Sequence, residues 1–187
     1  MDELATLIRS QISVSEPDLT LILSHFKEHR VAKDRFLLQR GQIVTSYYFI
    51  QSGGLRIYFD KDDQQITVWL AFANEFFTEL GSLKTGKPSP FTIQALEDTT
   101  LFLISSQDMD ALYRQLPAWQ QFGRQVWENA FLNLIEAVIS HQTLSAEERY
   151  RQLMQQSDLL QKIPLKQLST YLGITPTSLS RIRKNIR

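Results

Sequence analysis

The sequence contains no cysteine. That absence excludes disulfide frameworks, thiolate zinc sites, iron–sulfur clusters and cysteine nucleophiles. Glycine and proline are sparse, 7 and 6 of 187 residues, which excludes collagen-like and low-complexity chains. No apolar run approaches the ~20 residues needed to cross a bilayer. The opening Met1-Asp2-Glu3-Leu4 lacks the basic flank and apolar core of a secretion signal. Together these predict a cytoplasmic chain with no membrane partner, and nothing calls for a cofactor. What remains is ordinary globular composition, 43% hydrophobic and 21% charged, enough for one large domain or two small ones.

Twenty Lys and Arg balance twenty Asp and Glu. The neutrality is not local. From Ser145 onward, eight basic residues (Arg149, Arg151, Lys162, Lys166, Arg181, Arg183, Lys184, Arg187) face three acids (Glu147, Glu148, Asp158), a net of +5 against −5 for the rest. Between Gln161 and Arg187 there is no acid. Such a split predicts two modules, the smaller one suited to a polyanion. A solvated basic tail is the plainer alternative.

Periodicity orders the chain. Met1–Gln11 reads as a helix. Ser15 caps a second, with Asp18 three residues on and Leu19, Ile22, Leu23 and Phe26 at helical spacing. His25 and His29 fall on this early helix as surface or boundary residues, with no third metal ligand evident. From Arg35 the pattern becomes short strands: Phe36–Leu38, Tyr47–Ile50, Leu55–Phe59, Gln65–Ala73 with Ile66, Val68 and Leu70 on one side, then Phe91–Ala95 and Thr100–Ile104. Polar turns between them imply an antiparallel jelly roll. Ser106 caps a short helix that Pro117 ends. A long helix then runs to about Leu144, with Trp127, Phe131, Leu134, Val138 and His141 forming a heptad stripe. Its length overhangs a small barrel, which favours a dimer seam over packing on the barrel alone.

The last forty residues carry the strongest pattern. Leu168 and Leu172 face inward from one helix, Ser169 is small for close approach, Gly173 permits positive φ at the turn, Ile174 plugs the corner, and Leu179 and Ile182 face inward from the next helix. Thr175 caps that helix and Pro176 suits its first turn. This is helix-turn-helix spacing. It leaves Thr175, Thr177, Ser178, Arg181 and Lys184 outward. Arg181 suits a guanine edge, Thr177 and Ser178 a base or phosphate, and Thr175 with the helix-start amides a phosphate. Lys162, Lys166, Arg183 and Lys184 fit phosphate contacts. The expected partner is double-stranded DNA.

By these residues the chain resembles the Crp/Fnr family of bacterial transcriptional regulators. The resemblance rests on Tyr48-Phe49-Ile50-Gln51-Ser52-Gly53-Gly54-Leu55-Arg56, on Phe77-Thr78-Glu79-Leu80-Gly81-Ser82, and on the C-terminal hairpin, whose Tyr171–Lys184 stretch is especially similar to the Bacteroidetes-type branch. It implies an α+β fold: an antiparallel β-roll with flanking helices over residues 1–116, a long dimerisation helix over 117–144, and an all-α helix-turn-helix domain over 145–187. It also implies a homodimer and a small-molecule effector in the roll, near Phe77, Glu79, Leu80, Gly81 and Ser89. In the family's phosphate-binding cassette a glutamate takes the ribose hydroxyl, and later an arginine and a small hydroxyl residue hold the cyclic phosphate. Glu79, Leu80 and Gly81 match. Ser89 and Pro90 stand where the later pair belongs, with Lys84 and Lys87 the nearest cations. A lysine does not reproduce a bidentate guanidinium, so the expected effector is not cyclic AMP. The family's β-hairpin wing is also expected to be missing after the second hairpin helix. Two other readings stay open: a cyclic-nucleotide signalling module that reads no DNA, and a cupin-like enzyme. The enzyme reading is disfavoured because all three histidines are expected on helices and no nucleophile–base pair is legible.

Overall fold

Two short helices, α1 (Asp2–Gln11) and α2 (Glu16–Ser24), open the computed structural model, which describes residues 1–155, 158–161 and 163–186. The Ser15 side chain accepts the Asp18 amide and so caps α2, as its spacing predicts. The first strand comes earlier than expected. β1 (Lys27–Val31) is an exposed, charged edge strand with only Val31 buried, so it shows no alternation of apolar residues. His29 therefore lies on a strand, correcting its helical placement. His25 caps the end of α2, with Nδ1 3.1 Å from an Asp108 carboxylate oxygen.

β2 (Phe36–Leu38), β3 (Ser46–Ser52), β4 (Gly54–Lys61), β5 (Gln64–Phe72), β6 (Phe76–Phe77), β7 (Thr92–Ala95) and β8 (Thr99–Ser105) complete two antiparallel four-stranded sheets. Their orders are β1-β8-β3-β6 and β2-β7-β4-β5. Between them lies a core that includes Ile50, Leu55, Ile57, Ala71, Ile93 and Leu101. Turning into β4, Gly53 has φ +89°, and a Cβ there would meet Thr99 Oγ1 at 2.5 Å, so the roll closes only on glycine.

A short helix, α3 (Leu80–Thr85), lies between β6 and β7; a second core packs α1 and α2 against Phe49, Phe102 and Ile104, and against the two helices after the roll, α4 (Ser106–Gln115) and α5 (Pro117–Thr143). Ser105, not Ser106, caps α4 through the Asp108 amide. Trp119 and Phe122 stack at 4.6 Å where α5 begins. Beyond this anchored turn α5 loses its cover. Phe131 is 62% exposed, Leu132 58% and Ile139 52%, with Leu134, Ile135 and Val138 also open. At ~1.5 Å per residue the 27-residue helix reaches about 40 Å.

The chain ends in α6 (Ala146–Met154), a 3₁₀ turn (Asp158–Gln161), α7 (Leu165–Tyr171) and α8 (Pro176–Asn185). A Ser145–Glu148 capping box starts α6. This module has its own core of Tyr150, Leu153, Leu160, Ile163, Leu168, Leu172 and Leu179, completed by Leu70 and Phe72 of β5. The expected sidedness of β5 is corrected accordingly. Trp69 and Ala71 serve the roll core, Leu70 and Phe72 face outward beneath the C-terminal helices, and Val68 is exposed.

Candidate functional site

Helices α7 and α8 form a hairpin in which each inward residue has a separate job. Leu168, Ser169, Leu172 and Leu179 are buried, and Ile174 and Ile182 pack against the same core. Gly173 turns the chain at φ +68°. Thr175 Oγ1 accepts the Ser178 amide at 3.1 Å, capping α8. Ser178 Oγ lies 3.0 Å from that same oxygen. Thr175, Thr177, Ser178, Arg181 and Lys184 are exposed on α8, and Lys166 is exposed on α7. The predicted outward residues are thus all exposed, with no acid near them in sequence. Arg183 departs from expectation. Its guanidinium reaches the Leu160 and Ile163 carbonyls at 3.4 Å and lies over the Tyr150 ring, so it ties the module together from inside. Lys162, also read as a phosphate contact, lies outside the described residues, as does Arg187 of the basic count.

Beside this hairpin a cleft of about 960 Å³ runs between the roll, α5 and the C-terminal module. Phe77, Glu79, Leu80 and Gly81 all line it. The short helix α3 (Leu80–Thr85) explains their arrangement. Glu79 caps it by accepting the Ser82 amide at 3.0 Å. A Cβ on Gly81 would approach that carboxylate to 2.8 Å, so glycine leaves room for the cap. Phe77 stacks on Tyr48 at 5.2 Å. Ser89 is a correction: it is buried away from the cleft, and its Oγ accepts the Phe91 amide at 3.1 Å. Neither Lys84 nor Lys87 lines the cleft. Among the described lining residues the charged groups are Glu75, Glu79, Glu136, His141 and Arg149, set among Trp69, Phe77, Phe91 and Trp127.

Arg149 was not singled out from sequence, yet it joins three segments. It donates to the Leu144 carbonyl at 2.7 Å, the Leu172 carbonyl at 2.8 Å and the His141 carbonyl at 3.4 Å. Committed this way, its guanidinium is a poor counterion for a ligand. Burial, and then the nearby Arg149, hold the His141 pKa below its ordinary value. Glu75 is the converse: burial pushes its carboxyl up to about 7, while burial, and then the Glu75 charge, raises the Tyr171 phenol. A cyclic phosphate seated by Glu79 would meet carboxylates and, among the described residues, no free cation.

On α5, Phe131 and Val138 point into solvent, while Leu134 and His141 also line the cleft. Trp127 is turned toward the roll, its ring 6.1 Å from Tyr47, so it anchors α5 rather than opening the seam. Among the described residues no group of three His, Cys, Asp or Glu could hold a metal ion, and no helix is long and apolar enough to cross a membrane.

Residues 28–116 match the cyclic nucleotide-binding domain family. Solved structures similar to the chain extend the likeness past this domain. A CooA mutant from Carboxydothermus hydrogenoformans aligns at TM-score 0.65 and 20% identity, covering 88% of this chain and 77% of that one. The c-di-GMP responsive global regulator CLP of Xanthomonas campestris aligns at 0.66 and 16%, covering 92% and 91%. A protein described as a transcriptional regulator of the Crp/Fnr family from Eubacterium rectale aligns at 0.68 and 16%, covering 92% and 83%. At these identities the likeness establishes the fold alone: an antiparallel β-roll followed by a long helix and a helical module. A search of curated proteins finds no match.

Proposed function

We propose that the chain is a homodimeric, sequence-specific DNA-binding transcriptional regulator of the Crp/Fnr family, with a C-terminal motif of the Bacteroidetes-type branch. Residues 1–116 act as sensor, 117–144 as dimerisation helix and 145–187 as DNA reader. The observation that carries this reading is the outward face of α8: short hydroxyls at the helix start, then Arg181 and Lys184, all exposed. Hydroxyls and helix-start amides suit phosphates, and a guanidinium one turn on suits a guanine edge. Two copies paired along Phe131, Leu134 and Val138 present two such helices to half-sites about one helical turn apart. The effector occupies the cleft beside Glu79. Because that cleft supplies carboxylates and aromatic rings, the effector is not cyclic AMP.

Fluorescence anisotropy tests the DNA assignment, using a duplex selected from a random pool by the wild-type protein. Arg181→Ala is expected to weaken binding ~10- to 100-fold, the ~1–3 kcal/mol of a bidentate base contact. Equal binding by both proteins refutes it. The match over residues 28–116 favours one rival, a cyclic-nucleotide signalling module without DNA readout. Calorimetric binding of cyclic AMP or cyclic GMP, with no duplex recovered from the pool, supports that rival.

A further inference from the structure

The outer face of the β4–β5 ribbon is built to receive the C-terminal module. Arg56 pairs with Leu70, Ile57 with Trp69, and Tyr58 with Thr67, so β5 bulges at Val68. Residues three apart on a regular strand face opposite ways. The bulge shifts that parity and brings Thr67 onto the same outer face as Leu70. Both then meet the module: Leu70 enters its core, and Thr67 meets α7. The Thr67 amide donates to Thr170 Oγ1 at 3.2 Å, and Thr67 Oγ1 donates to the Gln167 carbonyl at 3.1 Å. Beneath this contact lies Arg56, 1% exposed and, among the described residues, bonded to no carboxylate. Its Nε donates to Thr67 Oγ1 at 2.8 Å, another nitrogen to Gln65 Oε1 at 3.0 Å, and its plane sits 4.3 Å over Tyr58. A polar chain thus runs from a guanidinium buried on the outer face of the ribbon to the first helix of the C-terminal hairpin.

What the contact leaves free matters equally. It uses Gln167 and Thr170 of α7, while Thr177, Ser178 and Arg181 of α8 stay exposed. A contact that hid the reading surface would have buried α8.

We infer that Arg56, Thr67 and Thr170 are positioning residues: they brace the α7–α8 hairpin on the roll so that α8 is held at a fixed orientation for DNA. The inference rests on the DNA-binding reading above. The brace fixes the angle between roll and hairpin in each protomer, and so the distance between the two α8 helices of a dimer. Its signature is discrimination of half-site spacing.

The test uses the full chain and the same selected duplex, with versions in which two and five base pairs are inserted between half-sites. Thr67→Val with Thr170→Val keeps side-chain volume and removes both hydroxyls. Wild type is expected to bind the selected spacing at least tenfold better than the five-pair insertion. The double variant removes every bond made by the two hydroxyls and is expected to bind the selected duplex about five- to tenfold more weakly, a loss comparable to one net hydrogen bond, and to discriminate spacing less. Thr67→Ser with Thr170→Ser, which restores the hydroxyls, is expected to recover both. Unchanged spacing discrimination in the valine variant overturns the brace. Tighter binding also overturns it, since the contact would then be inhibitory. Arg181→Ala separates the two ideas: if it binds as wild type does, the DNA reading and the brace both fail. If it is weak while the valine variant matches wild type, only the brace fails.

Discussion

The C-terminal hairpin and the cleft beside it are assembled over opposite ranges of sequence. The hairpin's inward and outward residues all fall between Leu165 and Asn185. The cleft draws on α1, β4, β5, β6, α3, β7, α5, α6 and α7, from Leu7 to Leu172. Their electrostatics differ as sharply. On α8, Arg181 and Lys184 stand exposed, whereas the cleft's arginine, Arg149, is tied to carbonyls and its carboxylates stand among aromatic rings. A surface that must meet a polyanion keeps its cations mobile and outward. A cavity that holds its cation in its own frame offers a phosphate no free counterion from that arginine.

Three changes test this contrast, beginning with the largest effect. Leu179→Ala removes a fully buried anchor of the hairpin. It should cost ~3 kcal/mol, within the ~2–5 usual for such truncations, with faster hydrogen exchange concentrated in α6 to α8. A loss spread evenly through the roll would show that the hairpin is not a separable unit. Val138→Glu places a charge at a position already 46% exposed. The melting temperature should hold, but sedimentation should report a monomer in place of a dimer, since a charge replaces ~1.5 kcal/mol or more of apolar burial in each copy. A wild-type monomer would remove the seam from the account.

The smallest effect concerns the cleft. The Glu75 carboxyl, with a pKa of about 7, holds a proton that the unfolded chain releases near its ordinary 4.5. The native state therefore binds more protons between those values, and this group makes stability fall as pH rises through that window. Glu75→Gln removes the dependence. The variant should gain melting temperature relative to wild type from pH 5 to pH 8. Parallel curves would show that Glu75 is not desolvated by the packing of Tyr171 and the C-terminal module.

What the sequence disclosed follows the same division. Gly173 at positive φ, the Thr175 cap and the buried Leu168–Leu172–Leu179 set were legible because helix chemistry acts over three or four residues. The roll strands were legible from alternation, except where alternation fails. β1 has one buried residue in five, and the sidedness of β5 was misread because its outer face is covered by residues about a hundred positions later. Arg56 belonged to the motif that carried the family resemblance, yet nothing local signals its burial. Its partner is Thr67, and the cover over Thr67 is Thr170. Ser89 was placed in the cleft by counting along a cassette, but the Gly41, Gln42 and Phe91 backbone draws it into the roll instead.

The central claim is that α8 offers its outward face to a duplex. Hydrogen exchange of the wild-type protein with and without the selected duplex tests it most directly. Added protection is expected at the amides of Thr175, Thr177 and Ser178, where α8 begins, with the amides of β6 and α3 at the cleft unchanged. Protection at the cleft with none on α8 would contradict the account.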